Sequence, residues 1–217
     1  MRTFGFPEFL FILEAAKWTL ALSAIAFVGG AILGLIIALM RTSESAWARG
    51  VSTTFIQIFQ GTPLLLQLFL VFFGAPVLGL DINPWVAAGV ALILNSAAFL
   101  GEIWRGCIQA IPRGQWEAAQ ALNLKYAARM RDVVLPQAFK IALAPTVGYL
   151  VQIIKGTSLA AIIGFVEITR AGQIVNNATF QPLIVFSVVA TIYFVICWPL
   201  SLLAARMERK RALALAR

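Results

Sequence analysis

The side chains of this chain that could do chemistry are polar groups set inside long apolar stretches. They are Asn95, Ser96 and Glu102 in one stretch, Gln60 and Thr62 in another, and Gln152, Lys155, Thr157 and Ser158 in a third. A charged side chain at the centre of a membrane helix costs about 2.5–3.5 kcal/mol on insertion scales, so such groups mark functional positions. Asn95, Ala98 and Glu102 are spaced i, i+3 and i+7, which places them on one helix face. We expect Asn95 and Glu102 to line a route through the membrane and to bind polar or cationic groups.

The sequence Lys155-Gly156-Thr157-Ser158 interrupts the third apolar stretch. Interrupted helices at membrane depth are tolerated where they face protein or a watery cavity, and their ends often meet substrate charges. Lys155, or backbone N–H groups near Ser158, could therefore receive a carboxylate. The alternative is that Lys155 reaches the membrane interface or pairs with Glu167.

Two other polar features also leave an alternative open. Glu102 could pair with Arg105, three residues further along the helix, instead of meeting substrate. The sequence Gln60-Gly61-Thr62-Pro63 could be only a helix kink. In the first alternative Glu102 lies at the cytoplasmic interface, and in both alternatives the side chains have no part in the route.

The sequence lacks the combinations of residues that covalent catalysis or metal binding usually requires. The sequence contains no histidine, and its two cysteines, Cys107 and Cys197, stand far apart without a CxxC pair. Two buried thiols explain these cysteines better than a disulfide or a metal site does. The GxxxxGKS/T phosphate loop is also missing, so energy from ATP would have to come from another chain. We therefore predict no catalytic residue, no metal site and no bound cofactor.

The composition indicates a membrane protein. Hydrophobic residues make up 61% of the 217 positions, charged residues only 12%, and the mean hydropathy is +0.89. A soluble domain carries about 25% charged residues. The net charge of +8 would suggest nucleic acid in a soluble protein. Here the basic residues flank apolar runs, which indicates positive-inside topology instead.

Five apolar segments are long enough to cross a bilayer, which needs roughly 20 helical residues. The sequence therefore predicts an all-α integral membrane protein with spans at about 18–40, 55–80, 85–103, 141–165 and 183–205. Gly30 and Gly34 in the first span have GxxxG spacing, which permits close approach of another helix. Loose packing of this face against lipid is the alternative.

The distribution of basic residues predicts the orientation. Thirteen of the seventeen lie in three segments that five spans place on one side: Arg41, Arg49, Arg105, Arg113, Lys125, Arg129, Arg131, Lys140, Arg206, Arg209, Lys210, Arg211 and Arg217. Such a bias marks the cytoplasmic side. We expect the N-terminus outside and the C-terminus in the cytoplasm.

The remaining segments predict one domain with two short flanks. Residues 1–15 lack the basic start and cleavage site of a signal peptide, and 4–16 is expected to form a short helix on the outer surface. The membrane domain is assigned to 16–206, with a polar extracytoplasmic connection, helical or not, at 169–181. Residues 207–217 form a basic cytoplasmic tail.

The polar stretch from 105 to 136 between the third and fourth spans predicts a short helix, a turn and a second short helix. Glu117 is expected near the start of the first helix, where a carboxylate favours the positive end of the helix dipole. Ala118 and Ala119 would give that helix a face without bulk, which another protein could approach closely. An ordinary amphipathic loop is the alternative.

The turn and the following span have their own signals. Asn123 suits a turn because asparagine tolerates the left-handed backbone conformation. Pro136 suits the first turn of the next helix, where its missing N–H is not needed. The spacing of Glu117-Ala118-Ala119, Asn123, Val133 and Leu135-Pro136 resembles the EAA loop of ABC-importer permeases, with Asn in place of Gly and Val in place of Ile.

Flanking sequences narrow the resemblance to the polar amino acid subfamily of type I permeases, over about residues 15–206. They are Asn95-Ser96-Ala97-Ala98-Phe99, Glu102-Ile103-Trp104-Arg105-Gly106, Ile111-Pro112-Arg113-Gly114-Gln115-Trp116 and Gly156-Thr157-Ser158-Leu159. That subfamily takes up histidine, glutamine, arginine, glutamate or opines across the bacterial inner membrane.

The resemblance implies a five-span permease subunit of an ATP-driven importer, working by alternating access. It implies a second permease subunit, identical or related, two ATPase subunits that carry ATP and Mg²⁺, and an extracytoplasmic solute-binding protein. The residues that would couple to the ATPase are Glu117, Ala118, Ala119, Asn123, Leu135 and Pro136. A stand-alone secondary carrier or channel for a small polar solute is the main alternative, but it should show an internal repeat, and none is evident. An intramembrane enzyme would need a nucleophile–base or metal constellation, and none is legible without histidine.

Overall fold

Helices carry the ordered structure of the chain. The structure, a computed structural model, describes residues 3–215, and the side chains of residues 3–211. Its α-helices are α1 (Phe6–Thr42), α2 (Ala46–Gly61), α3 (Leu64–Val77), α4 (Pro84–Gln109), α5 (Arg113–Ala121), α6 (Tyr126–Ala128), α7 (Leu135–Gly156), α8 (Ile168–Thr179) and α9 (Pro182–Leu215). A π-helical segment, Arg129–Val134, joins α6 to α7, and a 3₁₀ segment, Thr157–Ile163, follows α7. The described residues contain no β-strand.

The first helix starts earlier than the sequence predicts. The expected short helix over 4–16 is instead the first part of α1, which runs for 37 residues, about 55 Å at 1.5 Å per residue. Pro7 occupies the first turn, and the Glu8 carboxylate accepts a hydrogen bond from the Gly5 N–H at 3.1 Å. No glycine or proline interrupts the chain between Pro7 and Gly29, so the helix continues into the predicted span.

Close packing of α1 on α4 depends on the predicted glycine pair. A Cβ on Gly30 would lie 2.5 Å from the Ser96 Cβ, and one on Gly34 would lie 3.1 Å from the Ala97 carbonyl oxygen. The first distance is too short for any Cβ, and the second would require the neighbouring backbone to move by a few tenths of an ångström. The prediction that this spacing permits close helix approach is confirmed, and the contact buries Ser96 to 1% exposure.

The predicted second span is bent. Helices α2 and α3 meet at 101° across a break at Thr62-Pro63, so residues 55–80 do not form one straight helix. Proline disfavours helical backbone at the residue before it, which explains why α2 ends at Gly61. By length and composition, four helical stretches of the described chain could cross a membrane, and the bent pair could form a fifth.

The predicted interruption at 155–158 is a change of helix type. Helix α7 ends at Gly156, and the chain continues directly into the 3₁₀ segment until Gly164, whose φ of +87° ends it. The stretch from Tyr126 to Ile163 remains long and apolar enough to count as one candidate span. At the expected break the α-helix therefore continues as a narrower 3₁₀ helix, and no non-helical residue separates the two.

The three basic segments meet at one end of the helices. The Tyr126 hydroxyl donates to the Thr42 carbonyl oxygen at 2.8 Å, and the Arg211 Nη1 lies 3.5 Å from the Ile141 carbonyl oxygen. We call residues 113–134 the loop element and this end of the molecule the loop-element end. Helix α9 continues to Leu215, so residues 207–215 of the predicted tail extend the last helix; Arg217 lies outside the described residues.

The opposite end, here called the α8 end, is built around the connection between α7 and α9. The predicted connection at 169–181 is helical, as α8. The Thr19 hydroxyl accepts a hydrogen bond from the Ile168 N–H at 3.3 Å, and the Gln181 Oε1 accepts one from the Phe4 N–H at 3.0 Å. These bonds tie α8 and its flanks to the start of α1.

Candidate functional site

A cluster of neutral polar side chains lies where α4 passes the break between α2 and α3. Asn95 Nδ2 donates to Gln67 Oε1 at 3.1 Å and to the Phe59 carbonyl oxygen at 3.4 Å. Gln67 Nε2 donates to the Phe59 carbonyl oxygen at 2.8 Å and to Thr62 Oγ1 at 2.9 Å. Asn95 is 8% exposed and Gln67 5%. The two amides thus satisfy backbone oxygens that the broken helix leaves without partners.

Two further side chains border this Asn95 cluster. The Tyr149 hydroxyl of α7 donates to Asn95 Oδ1 at 3.4 Å, and its ring stacks on Phe99 with centroids 5.4 Å apart. Gln60 Nε2 donates to the Ala98 carbonyl oxygen of α4 at 3.3 Å. Side chains of α2, α3, α4 and α7 therefore meet at one place.

The structure brings together Gln60, Thr62, Asn95 and Ser96 of the predicted pathway residues. Sequence reasoning missed Gln67 and Tyr149. A lone amide in the otherwise apolar run of α3 was the available signal for Gln67, whereas a tyrosine in an apolar helix carries no comparable signal.

Glu102 pairs with Arg105, which is the alternative stated from the sequence. Its carboxylate pairs with Arg105, with Oε2 2.8 Å from Nε and Oε1 2.5 Å from Nη2. Arg105 also donates to Gln109. The Glu102 side chain is 31% exposed and the Arg105 side chain 21%. Glu102 therefore lies on the same helix as Asn95 but has its own partner.

Lys155 makes no described hydrogen bond to the Asn95 cluster. Its side chain is exposed and makes no hydrogen bond or ion pair within residues 3–211. The suggested partner Glu167 is fully buried and accepts hydrogen bonds from the Tyr193 hydroxyl at 2.6 Å and the Arg170 N–H at 2.9 Å. The alternative pairing of Lys155 with Glu167 is therefore wrong.

The hydroxyls of Thr157 and Ser158 bond to their own helix. Thr157 Oγ1 donates to the Ile154 carbonyl oxygen and Ser158 Oγ to the Lys155 carbonyl oxygen, each at 2.7 Å. Thr157 is fully buried. Both hydroxyls satisfy carbonyls at the change from α-helix to 3₁₀ helix, where the regular bonding pattern stops.

In the loop element, α5 presents Glu117 and Ala118 to solvent. Glu117 is the fifth residue of this helix, beyond its first turn, so the expected dipole contact does not arise. Ala118 is exposed and Ala119 is 3% exposed. The two alanines therefore differ, because one shapes the outer surface and the other packs inward.

The turn after α5 has the predicted geometry. Asn123 adopts the left-handed conformation with φ of +56°, and its N–H donates to the Gln120 carbonyl oxygen at 2.8 Å. The Leu124 N–H donates to the Ala119 carbonyl oxygen at 3.2 Å, which closes the helix end. Pro136 lies in the first turn of α7, also as predicted.

A small apolar core fixes the loop element to the long helices. Its buried members are Ile108, Ile111, Met130, Val134 and Ala138, and the side chains packed against it include Leu39, Trp116, Tyr126 and Leu135. The core holds contributions from α1, α4, α5 and α7. Leu135 is thus an internal contact, whereas Glu117 and Ala118 face outward.

Most charged side chains of the loop element are exposed, but Arg129 is half-buried, and its Nε is buried without a hydrogen-bond partner among the described residues. Arg131 Nε donates to Asp132 Oδ1 at 2.7 Å, and this bond lowers the pKa of the Asp132 carboxyl below its usual value. At the α8 end the direction is opposite, since burial raises the pKa of Glu167 although its hydrogen bonds lower it.

Chemically, the Asn95 cluster offers amide and hydroxyl groups that can donate and accept hydrogen bonds without a fixed charge. Such groups can bind both the ammonium and the carboxylate of a zwitterion. Within residues 3–211 no group of three or more metal-ligating side chains comes together.

The chain matches the model of a family described as "Binding-protein-dependent transport system inner membrane component" over residues 30–212. It is 35% identical to the probable amino-acid ABC transporter permease protein YckA of Bacillus subtilis, over 94% of this chain and 91% of that protein. It is 36% identical to the glutamine transport system permease protein GlnP of Escherichia coli, and 37% identical to the arginine transport system permease protein ArtQ of Bacillus subtilis. Each of these two matches covers 94% of both chains.

Two solved structures share the architecture. The crystal structure of an amino acid ABC transporter with histidines matches with a TM-score of 0.88 and 33% identity, over 96% of this chain and all of that chain. The inward-facing MetNI methionine ABC transporter matches with a TM-score of 0.79 and 18% identity, over 95% and 99% of the two chains. The second likeness is one of fold alone.

Proposed function

This chain belongs to the family of binding-protein-dependent transport system inner membrane components, and from that premise we propose that it is the permease subunit of an ATP-driven importer for a polar amino acid or amino-acid derivative. The relatives named above transport amino acids, glutamine and arginine, which supports this substrate class. The family match does not favour a stand-alone carrier or channel.

The observation that carries the coupling proposal is the outward face of α5. Glu117 and the methyl group of Ala118 lie exposed on a helix that is anchored from behind by Ala119 and Trp116. A small exposed residue lets a partner approach the helix backbone closely. We assign Glu117, Ala118 and the Asn123 turn to the docking surface of an ATPase subunit, with Leu135 and Pro136 as the joint to α7.

The partners follow from what the chain lacks. It has no phosphate loop, so ATP and Mg²⁺ would be held by separate ATPase subunits, two for a pair of permeases. A second permease subunit and an extracytoplasmic binding protein complete the proposed assembly. ATP-driven closure of the ATPase pair would move the loop element and alternate the packing of the spans.

The proposed topology has five spans, with the bent α2–α3 pair as the second. The loop-element end lies in the cytoplasm because it gathers the basic segments, and positive charge favours that side. The N-terminus is then outside and the C-terminus inside. The α8 end faces the binding protein.

The proposed route passes the Asn95 cluster. Its neutral amides and hydroxyls suit a zwitterion, and they sit at a helix break, the kind of place where transporters bind substrate. Gln60, Thr62, Asn95 and Ser96 contribute to the route together with Gln67. Glu102, Lys155, Thr157 and Ser158 remain candidates, although none of them makes a described hydrogen bond to the cluster.

Co-purification tests the docking surface. Replacing Ala118 with Leu, or Glu117 with Lys, should release the ATPase subunit from the detergent-solubilised complex while the permease stays folded. The matched control is Ala178→Leu, which changes another exposed alanine of a short helix at the α8 end. Retention of the ATPase by the Ala118→Leu and Glu117→Lys proteins would contradict the assignment.

Transport kinetics test the route. The purified binding protein is first screened against the twenty amino acids and opines, and the ligand it retains best is used for uptake into proteoliposomes. Asn95→Ala and Gln67→Ala should lower uptake at least about tenfold, because each leaves buried polar groups unpaired where substrate must pass. Unchanged uptake in both Asn95→Ala and Gln67→Ala would remove the pathway assignment, while Glu102→Ala and Lys155→Ala test the two candidates outside the cluster.

A further inference from the structure

The C-terminal end of α1 connects two parts of the molecule that lie far apart in sequence. The Tyr126 hydroxyl of the loop element donates to the Thr42 carbonyl oxygen at 2.8 Å. On the preceding residue, Arg41 Nη1 donates to Thr53 Oγ1 of α2 at 2.7 Å. The last carbonyls of a helix have no partners within it, so the Tyr126 bond satisfies one of them.

We propose that Tyr126 and Arg41 are positioning residues that transmit the movement of the loop element through the end of α1 to the α2–α3 break. The inference rests on the proposed function, since it concerns how ATP-driven movement reaches the Asn95 cluster. The chain itself joins the loop element to α4 and α7. The Tyr126–Thr42 and Arg41–Thr53 bonds, here called the α1 tether, extend that connection to α1 and α2.

Packing makes the first half of the tether stiff. Tyr126 begins α6 directly after the Asn123 turn, and its ring packs against the same small core as Trp116 of α5 and Leu39 of α1. Displacement of α5 therefore cannot leave Tyr126 behind without opening that core. The hydroxyl bond then fixes the direction in which the end of α1 follows.

Short connections make the second half stiff. Only Ser43–Ser45 separate α1 from α2, and Arg49 Nη1 donates to the Ser43 and Glu44 carbonyl oxygens at 2.9 and 2.8 Å. Ser45 also accepts the Ala48 N–H at 3.4 Å as the cap of α2. These bonds prevent the connection from absorbing a displacement of α1.

Helix α2 is continuous from the α1 tether to the Asn95 cluster, so a displacement at one end moves the other end. It has 16 residues, about 24 Å at 1.5 Å per residue, and ends at the break. Near that end, the Phe59 carbonyl oxygen accepts hydrogen bonds from both Gln67 and Asn95. A shift of α2 along its axis therefore changes the hydrogen bonds of the Asn95 cluster, which the proposed route passes.

Arg41 has one N–H group, at Nε, that could form a new hydrogen bond if α1 and α2 shifted. Its Nε is buried and makes no hydrogen bond within the described part of the chain. Arg129 Nε of the loop element and Asn176 Oδ1 of α8 are also buried without a partner among the described residues. Such groups are uncommon in native proteins, and a second arrangement that pairs the Arg41 N–H would be consistent with movement of the α1 end.

The test measures how much solute enters per ATP hydrolysed in proteoliposomes that contain the permease, its ATPase and its binding protein. Tyr126→Phe removes only the hydroxyl, and Thr53→Val removes the acceptor of Arg41. Each should lower import per ATP at least about fivefold, while the assembled complex keeps its basal ATP hydrolysis within about twofold. Thr53→Ser should restore the wild-type ratio.

Thr54→Val is the matched control. Thr54 neighbours Thr53 on α2, but among the described residues its hydroxyl bonds only to the Gly50 carbonyl oxygen of its own helix, at 3.2 Å. The ratio should stay at the wild-type value. In the double variant with Tyr126→Phe and Thr53→Val, the loss should not exceed that of the single variants, because both interrupt one path.

The outcomes separate this inference from the proposed function. If the wild-type complex fails to import in an ATP-dependent way, the proposed function is wrong. If the wild type imports and Tyr126→Phe and Thr53→Val keep the wild-type ratio, or if Thr54→Val lowers it equally, the α1 tether does not transmit movement. If Tyr126→Phe prevents assembly, Thr53→Val and its rescue by Thr53→Ser decide the matter.

Discussion

The two ends of the molecule use charged and small residues in opposite ways. At the α8 end, Glu167 is fully buried and each described hydrogen bond it makes is internal, to Tyr193 and to the start of α8. At the loop-element end, Glu117 and Ala118 are exposed on α5. Removal from water makes the first carboxylate a structural part of the fold.

The small residues repeat this contrast. A Cβ on Gly172 of α8 would lie 2.5 Å from the Val189 Cγ2, so α8 and α9 are pressed together there. A Cβ on Gly114 of α5 would meet no atom within 4 Å. At Gly172 the α8 end is tightly packed against its own chain, whereas at Gly114 the face of α5 is open. The difference teaches that buried polarity here stabilises the fold, while the exposed polarity of α5 is the part that our proposal assigns to assembly.

The largest difference between the two ends is expected when Glu167 and Glu117 are each replaced by alanine. Glu167→Ala should destabilise the protein strongly, and Glu117→Ala should not. Glu167→Ala leaves the Arg170 N–H without its partner and removes the shorter hydrogen bond of the Tyr193 hydroxyl, which keeps only its contact with Thr169 Oγ1 at 3.3 Å among the described residues. The change should cost about 2–4 kcal/mol, because an orphaned buried group costs about 1–3 kcal/mol and a lost hydrogen bond about 0.5–1.5 kcal/mol. The melting temperature of the purified permease should fall by roughly 6–12 °C.

Glu117→Ala is the counterpart at the other end. Its melting temperature should stay within about 2 °C of wild type, since exposed substitutions change stability by about 0.5 kcal/mol or less. It should nevertheless weaken retention of the ATPase. Equal stability losses in Glu167→Ala and Glu117→Ala would abolish the contrast between the ends.

Replacing Gly172 and Gly114 by alanine should produce a smaller difference in stability between the two ends. Gly172→Ala forces a methyl group into the contact with Val189 and should cost about 1–3 kcal/mol, the usual range for overpacking. Gly114→Ala should be neutral or stabilise by up to about 1 kcal/mol, because alanine is the better helix former. Thermal melts of both proteins measure the difference, and a destabilised Gly114→Ala protein would show that α5 packs against more than its small core.

Acid should affect the two ends with opposite signs. Burial raises the native pKa of Glu167, so the folded protein binds more protons than the unfolded one between the ordinary carboxyl value of about 4.3 and the raised native value. Stability contributed by Glu167 should therefore increase as pH falls through that window. Comparing melts of wild type and Glu167→Gln between about pH 7 and pH 4.5 isolates the effect; a difference that does not vary with pH would contradict it.

Asp132 provides the opposite case. Its native pKa is lowered by Arg131, so its contribution is present above the ordinary carboxyl value and is lost as pH falls through the native value. The pair is exposed, and salt should weaken its contribution further. An Asp132→Asn protein should thus lose less stability in acid than wild type does, by a small margin that shrinks in high salt.

Another small effect concerns the turn of the loop element. Asn123→Gly should change stability by about 0.5 kcal/mol or less, because both residues accept the left-handed conformation, whereas Asn123→Ala should cost about 1 kcal/mol. Melting temperatures of the two variants give the order. An Ala variant as stable as the Gly variant would mean that the positive φ of Asn123 carries no strain penalty.

Local signals made part of this structure predictable. The Asn123 turn, Pro136 in the first turn of α7 and the Gly30–Gly34 contact each follow from the steric properties of the residues concerned. The extent of α1 was not predicted, because hydropathy marks where a helix can cross a membrane but not where it begins.

The candidate site was only partly predictable for a different reason. Polar residues within apolar runs drew attention to Asn95, Gln60 and Thr62, but the partners Gln67 and Tyr149 come from α3 and α7. Which helices meet is a property of tertiary packing. The same holds for Tyr126, whose bond to Thr42 spans 84 residues of sequence.

Site-specific cross-linking tests the central claim that the loop-element end is the surface on which an ATPase acts. In a background without Cys107 and Cys197, a cysteine in place of Ala118 is compared with one in place of Ala178, each in the membrane-embedded complex treated with a short thiol-to-amine reagent. The account predicts an ATPase adduct with Ala118→Cys and none with Ala178→Cys. An ATPase adduct with Ala178→Cys and none with Ala118→Cys would contradict it.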